Sequence, residues 1–142
     1  MLSIQNMTTG NVLADRAEVA AGILQRMVGL LSRSRLVDGE ALIFPRCNAI
    51  HTCGMRFAID VLFVQTVQGS RFKVQGRGLH PQTYNLEPIL GTVVRAAERV
   101  GPFRFLGARI ADTVIELPAG SIVRTDTLAG HQIICVPLPK KR

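Results

Sequence analysis

Between Cys47 and Asp60 the chain sets two thiols, an imidazole, a hydroxyl, a guanidinium and a carboxylate (Cys47, Cys53, His51, Thr52, Arg56 and Asp60) into otherwise apolar sequence. Polar groups in such surroundings must be hydrogen-bonded, liganded or exposed, so a site is expected here. Three chemistries fit the residue types. Cys47, His51 and Cys53 are zinc-ligand types, and two thiolates with one imidazole leave an open catalytic position. On a strand rising about 3.3 Å per residue, His51 and Cys53 share a face about 6.6 Å apart, within reach of one metal ion. Cys47 would then lie about 13 Å from His51 and could not join without a bend. The spacing is not that of a zinc finger, and no metal site or cofactor is expected. The second chemistry is nucleophilic: a Cys47 or Cys53 thiol, His51 as base and Asp60 as orienting carboxylate. The third is binding at the mouth of a small barrel, with His51, Thr52, Arg56 and Asp60 as the polar groups and Met55 and Phe57 as apolar lining. Against all three stands a plainer role, a polar network that only fixes strand register.

The expectation is a non-catalytic domain that binds a small ligand or a protein through residues 47–60. A Cys/His-dependent enzyme, metal-assisted or not, is the alternative. His51 and Asp60 are expected to share a polar cleft with Thr52 or Arg56, because an unpaired charge in apolar sequence costs about 3–5 kcal/mol.

The chain has 142 residues, the size of one ordinary domain, and such a domain buries roughly two thirds of the surface that its unfolded chain exposes. Hydrophobic residues make up 47%, and no 18-residue apolar run suggests a membrane span. The first residues lack a basic start, and Asp15, Arg16 and Glu18 interrupt the first apolar candidate. No signal peptide is therefore expected, and the cytoplasm is favoured. Three cysteines are an odd number that suits free thiols better than a disulfide framework. Cys135, in Ile133-Ile134-Cys135-Val136, is expected in the core. The net charge is +7, with arginine far outnumbering lysine. Apart from Lys140-Lys141-Arg142, at the end of a basic 138–142 tail, these charges are spread singly, and no aromatic pattern of an RNA binder is evident among them. Nucleic acid is accordingly set aside as a partner.

Short apolar and β-branched pieces at 2–7 and 11–19 flank Thr9-Gly10-Asn11, a turn signal. Ala20, Ile23, Leu24, Met27, Leu30 and Leu31 recur at spacings of three and four, which predicts an amphipathic helix at 21–31. Strands are expected at Ala41–Phe44, at Ile59–Thr66 (nearly all apolar, hence buried on both faces), at Val114–Leu117 and at Gln132–Val136. Gly91–Ala97 reads equally as a strand or as a helix capped by Thr92 and ended by Gly101-Pro102. Many short strands with one main short helix predict an α+β, mostly β fold, a small antiparallel barrel or folded sheet.

Four blocks in order carry a resemblance: Arg26 to Arg33 with Gly29-Leu30-Leu31; Leu36 with Gly39-Glu40-Ala41-Leu42; Cys47 with Ile50-His51-Thr52-Cys53-Gly54-Met55 through Ile59-Asp60; and Ile115-Glu116-Leu117-Pro118-Ala119-Gly120. With these the chain resembles the bacterial and archaeal domain-of-unknown-function family 192. The resemblance implies a compact, β-rich, barrel-like domain over residues 1–142, a strand at about 12–19, and no assigned activity. Cys53 stands where members usually have an aromatic residue, Ala58 where many have proline, and Gly130-His131 where a late Gly-Asp is usual. Residues 66–90 have no good counterpart and are expected to form an inserted hairpin or loop, exposed and more mobile than its flanks.

Overall fold

Apolar residues at alternate positions make Leu2–Asn6 (β1) a strand with one face inward. The chain turns through Thr8 to Gly10, where a glycine φ of 80° suits the tight reversal, and returns as Val12–Val19 (β2). Among the described residues the other strands are Glu40–Pro45 (β3), Ala49–His51 (β4), Ile59–Thr66 (β5), Ile89–Val100 (β6), Phe105–Gly107 (β7), Thr113–Pro118 (β8) and Gln132–Pro137 (β9), with one short helix, Ser121–Thr125 (α1), before the last. This computed structural model describes residues 1–20, 35–67 and 87–139. The expected helix at 21–31, most of the expected 66–90 excursion and the basic residues 140–142 lie outside the described residues. Strands make up 54% of the described residues, so strand content far exceeds helix content there, as expected.

Seven strands close into a barrel in the order β1-β2-β3-β8-β5-β6-β9. Every pair is antiparallel except β2 with β3, which run parallel from Arg16↔Glu40 to Val19↔Ile43. β4 and β7 form a separate two-stranded sheet. Strands appear at all the expected places, and the ambiguous 91–97 stretch resolves as part of β6. Pairing with both β5 and β9 satisfies that backbone on two sides.

Two apolar clusters sit on opposite faces of the wall. Ile4, Leu13, Ile43, Leu62, Ile115 and Ile133 fill the barrel. Leu42, Phe44, Val61, Phe63 and Val114 form the other, against which Ile50 of β4 and Leu106 of β7 pack. β5 contributes to both, which is why its sequence is almost unbroken apolar. The small sheet thus lies on the outer face of the wall, and carries His51.

Candidate functional site

The 47–60 segment leaves β3 through Arg46, a residue with a φ of 55°, and crosses to β5. Cys47 is half-buried, and its thiol donates to the Ala49 carbonyl at 3.0 Å. β4 follows, with His51 opposite Phe105 of β7. His51 is exposed, and its ring centroid lies 6.0 Å from that of Phe105, the planes tilted by 41°. Thr52, Cys53, Gly54 and Met55 form a tight turn closed by the Met55 amide donating to the Thr52 carbonyl at 3.1 Å, with Gly54 at φ 83°. Met55 is buried in the outer cluster, Phe57 is partly buried against it, and Arg56 is exposed.

Thr52 is fully buried. Its hydroxyl donates to the Gly101 carbonyl at 2.6 Å and accepts the Arg104 amide at 2.9 Å. Its own amide donates to the Arg104 carbonyl at 2.9 Å, and its carbonyl accepts the Phe103 amide at 3.3 Å. Asp60 is also fully buried. Between Ile59↔Val100 and Val61↔Ala97 the β5–β6 register slips, leaving Glu98 and Arg99 opposite Asp60 as a bulge. The bulge holds Arg99 at φ 47° and takes its amide out of the ladder; Asp60 Oδ1 accepts that amide at 2.9 Å. Asp60 Oδ2 accepts the Ile122 amide in the first turn of α1 at 2.8 Å. Gly120, which begins that turn, offers no side-chain cap, so Asp60 supplies the missing acceptor.

The structure therefore does not gather the expected residues into one hydrogen-bonded cleft. Asp60 spends both oxygens on backbone amides, and His51 bonds to no carboxylate among the described residues. What Thr52 and Asp60 share is the connection 99–104, which they grip at its two ends. Nor do three metal-ligand side chains converge anywhere among the described residues. Cys47 and Cys53 are half-buried free thiols, whereas Cys135 is buried in the barrel, and burial pushes its thiol up to about 12.

The gripped connection carries groups that sequence reasoning missed. Phe103 is 75% exposed and Phe105 79% exposed. Phe103 sits at φ 59°, a conformation that bulky residues rarely adopt and that costs on the order of 1–3 kcal/mol. Arg104 lies between the two in sequence, Arg99 at the bulge and Arg56 on the adjoining turn, all exposed. At the far end of β7, Arg95 donates to the Gly107 carbonyl at 2.9 Å. The ion pair found among the described residues joins Arg16 to Asp15, so none of these four guanidinium groups is matched to a carboxylate there. The signal was legible as Phe103-Arg104-Phe105, an aromatic–cation–aromatic alternation in a chain with only six Phe and one Tyr.

A second buried carboxyl lies apart from this face. Glu116 of β8 shares the outer face with its ladder neighbours Val61 and Leu42, has no hydrogen-bond partner among the described residues, and is pushed up to about 7 by burial.

Residues 4–83 match the profile of a family described as an uncharacterised ACR, domain of unknown function 192; the span ends before the Ile115–Gly120 block. No curated protein matches the sequence. Two solved structures share the fold. A candidate transcription regulator from Sinorhizobium meliloti matches with a TM-score of 0.65 at 18% identity, over 93% of this chain and 89% of that one. A protein of unknown function from Novosphingobium aromaticivorans matches with a TM-score of 0.64 at 19% identity, over 93% of this chain and 81% of that one. At these identities the likeness concerns the fold.

Proposed function

The chain belongs to the domain-of-unknown-function 192 family, and from that premise we propose that it is a non-catalytic binding domain whose binding face joins the 47–60 segment to the connection that segment holds. One observation carries the reading: Phe103 is kept exposed in a strained backbone conformation by hydrogen bonds to a buried Thr52. Strain persists only where surrounding structure over-determines it, and folding alone gains nothing from an aromatic ring held in water. His51 and Arg56 stand on this face, and Thr52 and Asp60 act beneath it as its supports. Met55 anchors the turn from below.

The Cys/His-dependent alternative finds less support. Asp60 faces backbone amides rather than the imidazole, and the Cys47 thiol is engaged by the Ala49 carbonyl. A nuclear magnetic resonance titration tests the reading, using a panel of short oligonucleotides, acidic peptides and small phosphorylated compounds. The expected result is a set of shifts centred on His51, Arg56, Phe103 and Phe105, lost in His51→Ala and Phe105→Ala proteins with unchanged melting temperatures. Shifts centred on Cys47 and Cys53 instead, or a turnover abolished by Cys53→Ser, would overturn it.

A further inference from the structure

The binding face has a shape and a composition that narrow its partner. With rings 75% and 79% exposed, Phe103 and Phe105 both stand out in solvent. A small-ligand site buries most of its ligand in a concavity, which rings this exposed do not provide. The partner is therefore expected to be a polymer that makes several shallow contacts at once. A protein interface also accommodates phenylalanine together with arginine, so it is charge that favours a polyanion: Arg104 separates the two exposed phenylalanines in sequence, Arg99 and Arg56 belong to the adjoining bulge and turn, and none of the three pairs with a carboxylate among the described residues. Of the nearby acids, Asp60 is taken up by amides and Asp112 by Thr66 and Thr113, which leaves Glu98 as the exposed negative charge beside the loop.

Flat apolar faces alternating with unmatched cations are complementary to a chain that alternates flat bases with phosphates. We propose that the face formed by His51, Phe103 and Phe105 with Arg56, Arg99 and Arg104 binds single-stranded nucleic acid, bases stacking on the rings and phosphates resting on the guanidinium groups. Arginine suits this role, because its planar fork pairs with phosphate and also stacks on bases. The face is about two to three nucleotides long if each ring takes one base. Composition alone sets nucleic acid aside, since the aromatic residues are few; the fold changes that premise by placing His51 beside Phe105 and spending both Phe103 and Phe105 outside the core. Duplex DNA is not expected to bind well in this way, because its bases present no free faces.

The proposal rests on the reading of the face given above, and the experiment separates the two. Fluorescence anisotropy would be measured for the intact protein with a labelled fifteen-residue thymidine oligonucleotide, a duplex of equal length, and a polyglutamate peptide. Proteins carrying Phe103→Ala, Phe105→Ala, Phe105→Leu and Phe105→Trp would be compared after thermal unfolding has shown them folded. The expected result is single-strand binding that is weakened at least about fivefold by either alanine, weakened by leucine, and restored by tryptophan, with duplex binding unchanged. Single-strand binding indifferent to the ring substitutions would overturn the proposal, since charge alone would then explain it. Ring-dependent binding of polyglutamate without ring-dependent binding of the oligonucleotide would overturn it in favour of an acidic protein partner, leaving the face itself intact. Ring-independent behaviour toward all three probes would overturn both the proposal and the face.

Discussion

Replacing Asp60 by alanine strands the buried backbone amide of Ile122 and the part-buried amide of Arg99. Each unsatisfied donor costs about 1–3 kcal/mol, so Asp60→Ala is expected to lower unfolding stability by about 3 kcal/mol in a urea titration, and Asp60→Asn by less because an amide oxygen remains. A midpoint unmoved by Asp60→Ala would contradict the anchoring role. Glu116 gives a second residue-scale outcome. Its carboxyl is raised by burial from 4.5 to about 7, so the folded state holds a proton that the unfolded state releases first. Its contribution is fully present below pH 4.5 and is lost as pH rises through about 7. Stability should therefore fall over that window by about 3 kcal/mol at most, and Glu116→Gln should flatten this part of the profile. Thiol mapping offers a third check. Alkylation of the folded protein should modify Cys47 and Cys53 and spare Cys135, whose high pKa and burial keep it a protonated thiol.

At the scale of elements, the long strands were legible because their signals are local. β5 announces itself by an unbroken apolar run, β3 by a short apolar run between Asp38-Gly39 and Pro45, and β9 by a β-branched run. α1 was not legible. Its five residues lie between Gly120 and Asp126, both with positive φ, and its first turn is satisfied by Asp60, which is 62 residues away in sequence. The 99–104 connection was hidden for the same reason: a threonine and an aspartate shape it from 49 and 39 residues away. A pattern over neighbouring residues carries no trace of such bonds, so Thr52 and Asp60 read as site residues when their visible work is to hold a loop. Thr52→Val keeps the shape but removes the hydroxyl, and is expected to raise amide hydrogen exchange at Phe103 and Arg104 before it does so in β5. The β5–β6 pair has its own tight spot at Gly91. A Cβ there would meet Val64 Cγ1 at 2.5 Å and the Gln65 carbonyl at 3.3 Å, so Gly91→Ala should destabilise by about 1–3 kcal/mol, read from the shift in thermal midpoint.

For the whole molecule, the order of strands around the barrel was beyond the sequence. Which strands neighbour one another depends on pairings such as β3 with β8, and nothing in the short run Glu40–Pro45 names Thr113–Pro118 as its partner. The parallel β2–β3 pair was equally invisible, since periodicity records burial and not direction. The wall closes where β1 meets β9: Leu2 lies opposite Pro137, and the Leu138 amide donates to the Met1 carbonyl at 3.0 Å. That seam bears on the timing of assembly. Its contacts span nearly the whole sequence, and contacts of long sequence separation slow the search for the native state. The β1–β2 hairpin can form early from neighbouring residues, whereas β9 can dock only after the intervening strands have found their places. Linking residue 138 to residue 1 and opening the chain within the Thr8–Gly10 turn would make the seam a local contact and the hairpin a distant one. Such a permutant is expected to swap the order of events in stopped-flow refolding, with β1–β9 gaining protection first and β1–β2 last.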